Sequence, residues 1–573
     1  MEIRKMKRKF VIIIAALALP LFSCNKENGD NPGPGPVPVP TDATISGCVT
    51  GSDGKKLEGV VVSDGYICTV TDKDGNYYLN SSLQGVDHVI ISTPSGYAAP
   101  VADALPVYYK RIDALRKDSS GKYSGVDFTL TRIADPERFS VFFIGDPQPR
   151  SKSAGYDNFA YHSWDCCDDM CRELRETAAE IQKDRPVYGM VLGDVCHNST
   201  ALFPTHKQKM STNGFPSYHL MGNHDHDLNA VGDKESSAAF ESYFGPTNYS
   251  FNVGNIHFVA LDNMIVTGKK RETNSGTDLF DGLRDDIYHW LEQDLSYVPK
   301  DRILMICTHS PMFMVMGGKM RSRNAIVVDG AKTTSHYSDV DALVKDYAKV
   351  YAWAGHTHTT YNYADDDAVV ESHTVVRATG ELWTNEYLNA GTPRGFVVMN
   401  YDNGAVSWKF HPIKYQSGSF VGKSKPSYDH RDWDIVDGVA KMKSDGSVLD
   451  ESYQMHLYAP DTYAKGDGLI YANIFMWDEK WQSPYFTYNG VRQKMKRYSS
   501  SNYVYYDISA YEISSWYKET NSTLAGADYG PSKSNCATIF TASVQTKNPA
   551  GKNSGTVSVE DRFGNTYTST ITW

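Results

Sequence analysis

Five times along the middle of this chain an apolar run stops at an acid, an amide or a histidine. Residues 139–145 lead into Asp146-Pro147-Gln148, residues 187–192 into Gly193-Asp194, and residues 218–221 into Gly222-Asn223-His224-Asp225. Further on, residues 303–308 lead into His309, and residues 350–354 into Gly355-His356-Thr357-His358. Short apolar runs closed by glycine or polar residues read as buried strands. Helical stretches separate some of them, as at 165–183 and 283–295. The expected fold class is α/β (α+β), and in open sheets of that class ligand groups gather at strand C-termini. Five converging ends would bring carboxylate, carboxamide and imidazole together, a donor set suited to divalent cations.

The flanks differ in character. A chain of 573 residues exceeds one hydrophobic core, so about three units are expected. Arg4, Lys5, Lys7, Arg8 and Lys9 precede an apolar stretch, residues 10–19, too short to cross a bilayer. Leu21-Phe22-Ser23-Cys24 follows and resembles the lipobox of bacterial lipoproteins. The resemblance implies a signal peptide over 1–23, lipid on Cys24 and export to the cell envelope. Residues 24–40 are a Pro/Gly tract, a semi-rigid spacer. Residues 41–133 and 420–573 are β-like, with turn signals such as Asp74-Gly75-Asn76 and Gly564-Asn565. The earlier of the two resembles carboxypeptidase-regulatory sandwiches, which implies a fold and no chemistry. Cys48 and Cys68 lie in neighbouring β-like segments of one small domain, where export would allow them to pair, while most of the cysteines read as buried, inert residues. The net charge of −11 is spread along the chain, so no nucleic-acid partner is expected.

In order, Asp-x-Gln, Gly-Asp-x-x-His, Gly-Asn-His-Asp, His and Gly-His-x-His resemble the calcineurin-like metallophosphoesterase superfamily, over residues 137–415. The resemblance implies a β-sandwich flanked by helices, with two metals at the strand ends. Asp146, Gln148 and His358 would hold the first metal, Asn223, His309 and His356 the second, and Asp194 would bridge them. His224 would face the substrate and protonate the leaving oxygen, with Asp225 orienting its ring. The implied reaction is attack of a two-metal-activated hydroxide on a phosphate mono- or diester. The first motif usually carries histidine where Gln148 stands. An oxygen ligand there favours Mn, Mg or Fe, with Zn also accommodated. Purple acid phosphatases place an iron-binding tyrosine where His197 stands, which argues against a ferric site. His197 is then either near the substrate or a structural hydrogen-bonding group. Arg377 and Trp383 follow the last motif and are expected to line the pocket. Two other readings stay open: a nucleotide pyrophosphatase or phosphoprotein phosphatase, and a catalytically silent surface lipoprotein that holds glycan or protein. Oligomeric state is not legible.

Overall fold

The structure is a computed structural model that describes residue 40 and residues 42–573, except 135, 152–156, 267–278, 315–318, 321–325, 329–330, 334, 365, 367, 381–391, 418–431, 461–467, 499–537 and 545–552. The expectations for Cys24, the signal peptide, the linker and Trp383 lie outside the described residues.

Two sheets carry the five motifs. The first sheet is built from β1 (Arg138–Ile144), β2 (Val187–Val191) and β3 (Ser217–His219). The second is built from β4 (Tyr249–Val253), β5 (Ile256–Leu261), β6 (Ile303–Thr308), β7 (Lys349–Ala354), β8 (Asn362–Tyr363) and β9 (Glu371–Thr374). Strands β10 (Gly395–Asp402) and β11 (Ala405–Pro412) complete the first, in the order β3-β2-β1-β10-β11. The second runs β4-β5-β6-β7-β9-β8. Neighbours β1, β2 and β3 are parallel, as are β5, β6, β7 and β9. All motif-bearing ends within a sheet therefore point the same way.

Alternation along the strands assembles the layers. Phe139, Val141 and Phe143 of β1 face Met305, Cys307, Tyr351 and Trp353 of β6 and β7 in one apolar cluster. Phe143 and Trp353 stack at 4.4 Å. The residues between them point outward. Phe142 and Ile144 pack on α1 (Asp157–Ile181) through Cys167, Met170, Cys171, Leu174 and Ala178, a helical spacing. Leu304, Ile306, Val350 and Ala352 meet Ile287, Trp290, Leu291 and Leu295 of α2 (Asp285–Ser296). Helix, sheet, sheet and helix give strands buried on both faces, which explains their unbroken apolar runs.

Each flank adds a pair of four-stranded sheets, one pair from residues 45–132 and one from residues 455–572. Cys48 and Cys68 belong to different sheets, and both are free thiols, so the pairing that their sequence positions allowed is not formed. Trp433, Trp477 and Trp481 are buried in the core.

The C-terminal sheets are tied to the second sheet by a buried charge cluster. Glu371 on β9 takes Arg562 at 2.6 Å, Lys349 at 2.8 Å and also Lys480. Burial works to raise this carboxyl, but the three cations win and hold it at about 2. Its folded value lies below the ordinary 4.5, so its contribution to stability is complete above that value and lost as pH falls toward 2. Melting temperature followed from pH 5 down to 2 should therefore fall less steeply in Glu371→Gln than in the wild type. Equal slopes would remove the cluster from the account.

Candidate metal centre

The five strand ends deliver their side chains to one place. Asp146, Gln148, Asp194, Asn223 and His309 are buried, while His224 and His358 keep 23 % and 22 % of their side chains exposed. Ligand atoms of Asp146, Asp194 and His309 lie within 4.8 Å of one another. His309 Nε2 sits 2.9 Å from Asn223 Oδ1, 3.1 Å from His356 Nδ1 and 3.3 Å from Asp194 Oδ1. His356 Nδ1 is likewise 2.9 Å from Asn223 Oδ1. On the other side, His358 Nε2 approaches Asp146 Oδ1 at 3.6 Å, and Gln148 donates Nε2 to Asp194 Oδ2 at 2.9 Å.

The protonation states follow from the partners. His309 donates Nδ1–H to the Leu192 carbonyl at 2.8 Å, and burial lowers its pKa. Its Nε2 therefore carries a lone pair, aimed at the oxygens of Asn223 and Asp194. Lone pairs facing lone pairs repel unless a cation lies among them, so the donor set fits a metal. Burial pushes the Asp194 carboxyl up, with Asp146 adding to it and His224 opposing. Asp146 moves the other way. Burial would raise it, but His358, His309 and His356 carry it below the usual range.

Backbone conformation shows what holding these donors requires. Asp146, Gln148, Asp194, His356 and His358 all have positive φ, between 44° and 66°. Side chains adopt this left-handed region at a cost of about 1 kcal/mol each. Such residues cluster where a site must present groups at fixed angles. The glycines before the ligands have their own reason. A Cβ on Gly222 would lie 2.2 Å from Asp194 N and 2.3 Å from its Oδ1, and one on Gly193 would lie 2.4 Å from His309 Nδ1. Gly222→Ala should displace Asp194 and cut turnover by roughly a hundredfold, in line with a misplacement near 1 Å. Steady-state kinetics of a folded Gly222→Ala within threefold of wild type would refute this packing argument.

The His224 ring is oriented by a residue other than Asp225, the one expected from sequence. Asp225 accepts the backbone N–H groups of Val195, Cys196 and Gly222 at 3.0, 2.9 and 2.9 Å, so it braces the loops rather than the imidazole. The ring is held by Asn198, whose Oδ1 takes His224 Nδ1–H at 2.7 Å. Asn198 also donates Nδ2 to His197 Nε2 at 3.4 Å, and the two imidazoles stack at 4.4 Å. His197 therefore buttresses His224. Burial pulls His224 down to about 3, and burial with the charges of Arg377 and Arg150 does the same to His197. Asn198 escaped the sequence reading, although it directly follows the Gly-Asp-x-x-His motif. Arg377 is 2 % exposed and donates to the Gln148 carbonyl at 3.5 Å, so it supports the first motif from beneath.

Residues 139–360 match a family model described as calcineurin-like phosphoesterase. Residues 43–133 and 372–567 match models for the N terminal and the C terminal of calcineurin-like phosphoesterase. No curated protein matches the sequence. Among solved structures, the chain is similar to a purple acid phosphatase from yellow lupin (Lupinus luteus) seeds, at 13 % identity and TM-score 0.32, covering 55 % of this chain and 53 % of that one. It is similar to a dimetal phosphatase from Danio rerio at 14 % identity and TM-score 0.33, covering 48 % and 96 %. A Haemophilus influenzae NAD nucleotidase gives 12 % identity and TM-score 0.25, covering 48 % and 50 %. The match spans about half the length of the lupin and Haemophilus proteins.

Proposed function

The chain belongs to the calcineurin-like phosphoesterase family, with that family's N-terminal and C-terminal modules on either side of the catalytic part, and from this we propose that it hydrolyses phosphate mono- or diesters at a two-metal centre. That it is a hydrolase of phosphoester bonds follows from the family. One observation carries the finer reading: the His309 lone pair meets Asn223 Oδ1 at 2.9 Å, His356 Nδ1 at 3.1 Å and Asp194 Oδ1 at 3.3 Å, and His356 Nδ1 lies 2.9 Å from Asn223 Oδ1. Asp146, Gln148 and His358 would hold one ion, Asn223, His309 and His356 the other, and Asp194 both. The oxygen-rich first set suits Mn, Mg or Fe.

When bound, two divalent cations neutralise phosphoryl oxygens and make water acidic enough to attack near neutral pH. The protein's own residues supply the rest. Asn198 fixes the His224 tautomer with its proton on Nδ1, so Nε2 is the atom left to face the leaving oxygen. Burial keeps this ring neutral at rest. A dianionic substrate beside it raises its proton affinity, and Nε2 then carries the proton that the departing alkoxide takes.

The test is hydrolysis of p-nitrophenyl phosphate and bis-p-nitrophenyl phosphate with Mn²⁺, Mg²⁺, Zn²⁺ or chelator, together with metal content by mass spectrometry. Metal-dependent turnover with about two ions per chain is expected. No turnover with any metal, and no bound metal, would discard the reading.

We also infer export and lipid attachment at Cys24, supported by the order of basic residues, short apolar run and Leu21-Phe22-Ser23-Cys24. Cys24→Ser should lose incorporation of labelled palmitate and leave the membrane fraction. Persistent label would exclude this anchor.

A further inference from the structure

The C-terminal part of the chain leaves one strand edge bare. Strands β12 (Tyr485–Tyr488), β13 (Val491–Lys494), β14 (Ser554–Glu560) and β15 (Thr566–Thr572) form a sheet in the order β13-β12-β14-β15. Its two edges differ. β13 carries exposed Arg492 and Lys494, and charge on an edge keeps other chains from pairing with it. β15 reads Thr-Tyr-Thr-Ser-Thr-Ile-Thr, without a charge or a proline.

The ladder tells which backbone groups of β15 are unused. Asn553 and Trp573 exchange both of their bonds, at 3.1 and 3.2 Å. In an antiparallel pair such exchanges fall on every second residue. Gly555 and Ile571, Val557 and Ser569, and Val559 and Tyr567 therefore bond each other. The residues between them on β14 turn to the other side, where the Gln482 amide donates to the Glu560 carbonyl at 3.0 Å. On β15 the residues between are Thr566, Thr568, Thr570 and Thr572. Their N–H and C=O groups point away from β14, and all four residues are exposed.

A cleft of about 820 Å³ runs along this edge, lined by residues 567–572 together with residues from 442–459. Pockets that hold ligands span roughly 300–1,000 Å³. Val448 gives the cleft an apolar contact, 41 % exposed. Asp432, Asp445 and Asp450 line it against one cation among the described residues, Lys443. Asp432 pairs with His456 at 2.9 Å. Asp445 and Asp450 are exposed and take hydrogen bonds from their own turns, at Ser447 and Ser452. Tyr453 and Tyr567 are buried and donate to Asp432 and Asp561, so neither offers an exposed ring for a sugar to stack on.

We propose that this cleft binds an extended, cationic segment of a partner protein, which adds to β15 as a further strand. Main-chain bonds to the four threonines would supply the affinity, and Asp445 and Asp450 would select lysine or arginine side chains. At about 3.4 Å per residue, the edge takes a segment of about six residues. None of the proposed metal donors lines the cleft, so the site stands apart from the phosphoesterase chemistry.

The probe is the capped, fluorophore-labelled peptide Lys-Val-Lys-Val-Lys-Val-Lys, read by anisotropy against the full chain. Strand addition rests on main-chain bonds, so this simple sequence is expected to bind saturably. Its glutamate counterpart should bind more weakly by about tenfold or more. Thr570→Pro removes one outward N–H and leaves the β14 ladder intact, since an edge tolerates proline there. It should weaken the lysine peptide by about tenfold. Should that variant not fold, Thr570→Lys is read instead, which puts on β15 the kind of charge that guards β13. No saturable binding, equal binding of both peptides, or an unchanged affinity in the folded variant would overturn the proposal. Sedimentation showing a wild-type dimer that the variant loses would give the edge to a second copy of this chain, and would overturn it as well.

Discussion

Asp194→Asn is expected to lower kcat/KM on p-nitrophenyl phosphate by at least about a thousandfold and to strip most of the bound metal. The substitution keeps size and shape, so the His224 amide can still donate to Oδ1, as it does at 2.9 Å. What changes is the charge at a side chain that touches ligand side chains of both proposed halves of the site. Asp194 reaches Gln148 on one side and His309 on the other. Without its negative charge, two cations would sit close together with little to offset their repulsion. His224→Ala should behave differently, losing about a hundredfold in kcat with metal content unchanged. Asn198→Ala should lose less than His224→Ala and should not lose further activity in that background, because it acts through the ring. A loss under tenfold for Asp194→Asn, with both metals retained, would remove the bridging role.

A second large effect is expected far from the chemistry. Asp169→Ala should destabilise the folded protein by about 3–5 kcal/mol, the usual result of removing one partner of a buried pair. Asp169 lies on α1, and Arg394 stands at the entrance to β10. Arg394 is fully buried and donates Nη2 to Asp169 Oδ2 at 2.8 Å and to the Tyr415 carbonyl at 2.6 Å. Ser417 donates to the other oxygen of Asp169. Truncation takes the Asp169 carboxylate away from a buried guanidinium. Urea unfolding measures the effect, and Asp169→Asn, which keeps an acceptor in place, should cost less. A change under 1 kcal/mol would mean that solvent reaches the guanidinium.

The two predictions differ in how legible their residues were. The candidate metal donors announced themselves because each follows a strand buried on both faces, and such strands read as unbroken apolar runs. Arg394 and Asp169 carry no such sign, since 225 residues separate them and only folding pairs them. Asp225 misled for a related reason. Its neighbour in sequence is His224, but its carboxylate turns to amides across the loop at Val195 and Cys196. Met264–Val266 pairs antiparallel with Leu279–Asp281, and no sequence signal marked either strand. Strands of three residues are too short for alternation to register. Cys48 and Cys68 looked like neighbours because sequence proximity between strands says nothing about which sheet each joins.

The left-handed backbone at Asp146, Gln148, Asp194, His356 and His358 also bears on how this chain can evolve. Each of these positions would be more relaxed as glycine, which adopts that conformation freely. On the proposed two-metal reading, relief of that strain would come through variants that no longer hold metal. On the same reading, the backbone strain at these five positions is held in place by selection on turnover. A lineage released from that selection should lose its donors before it loses its sheets.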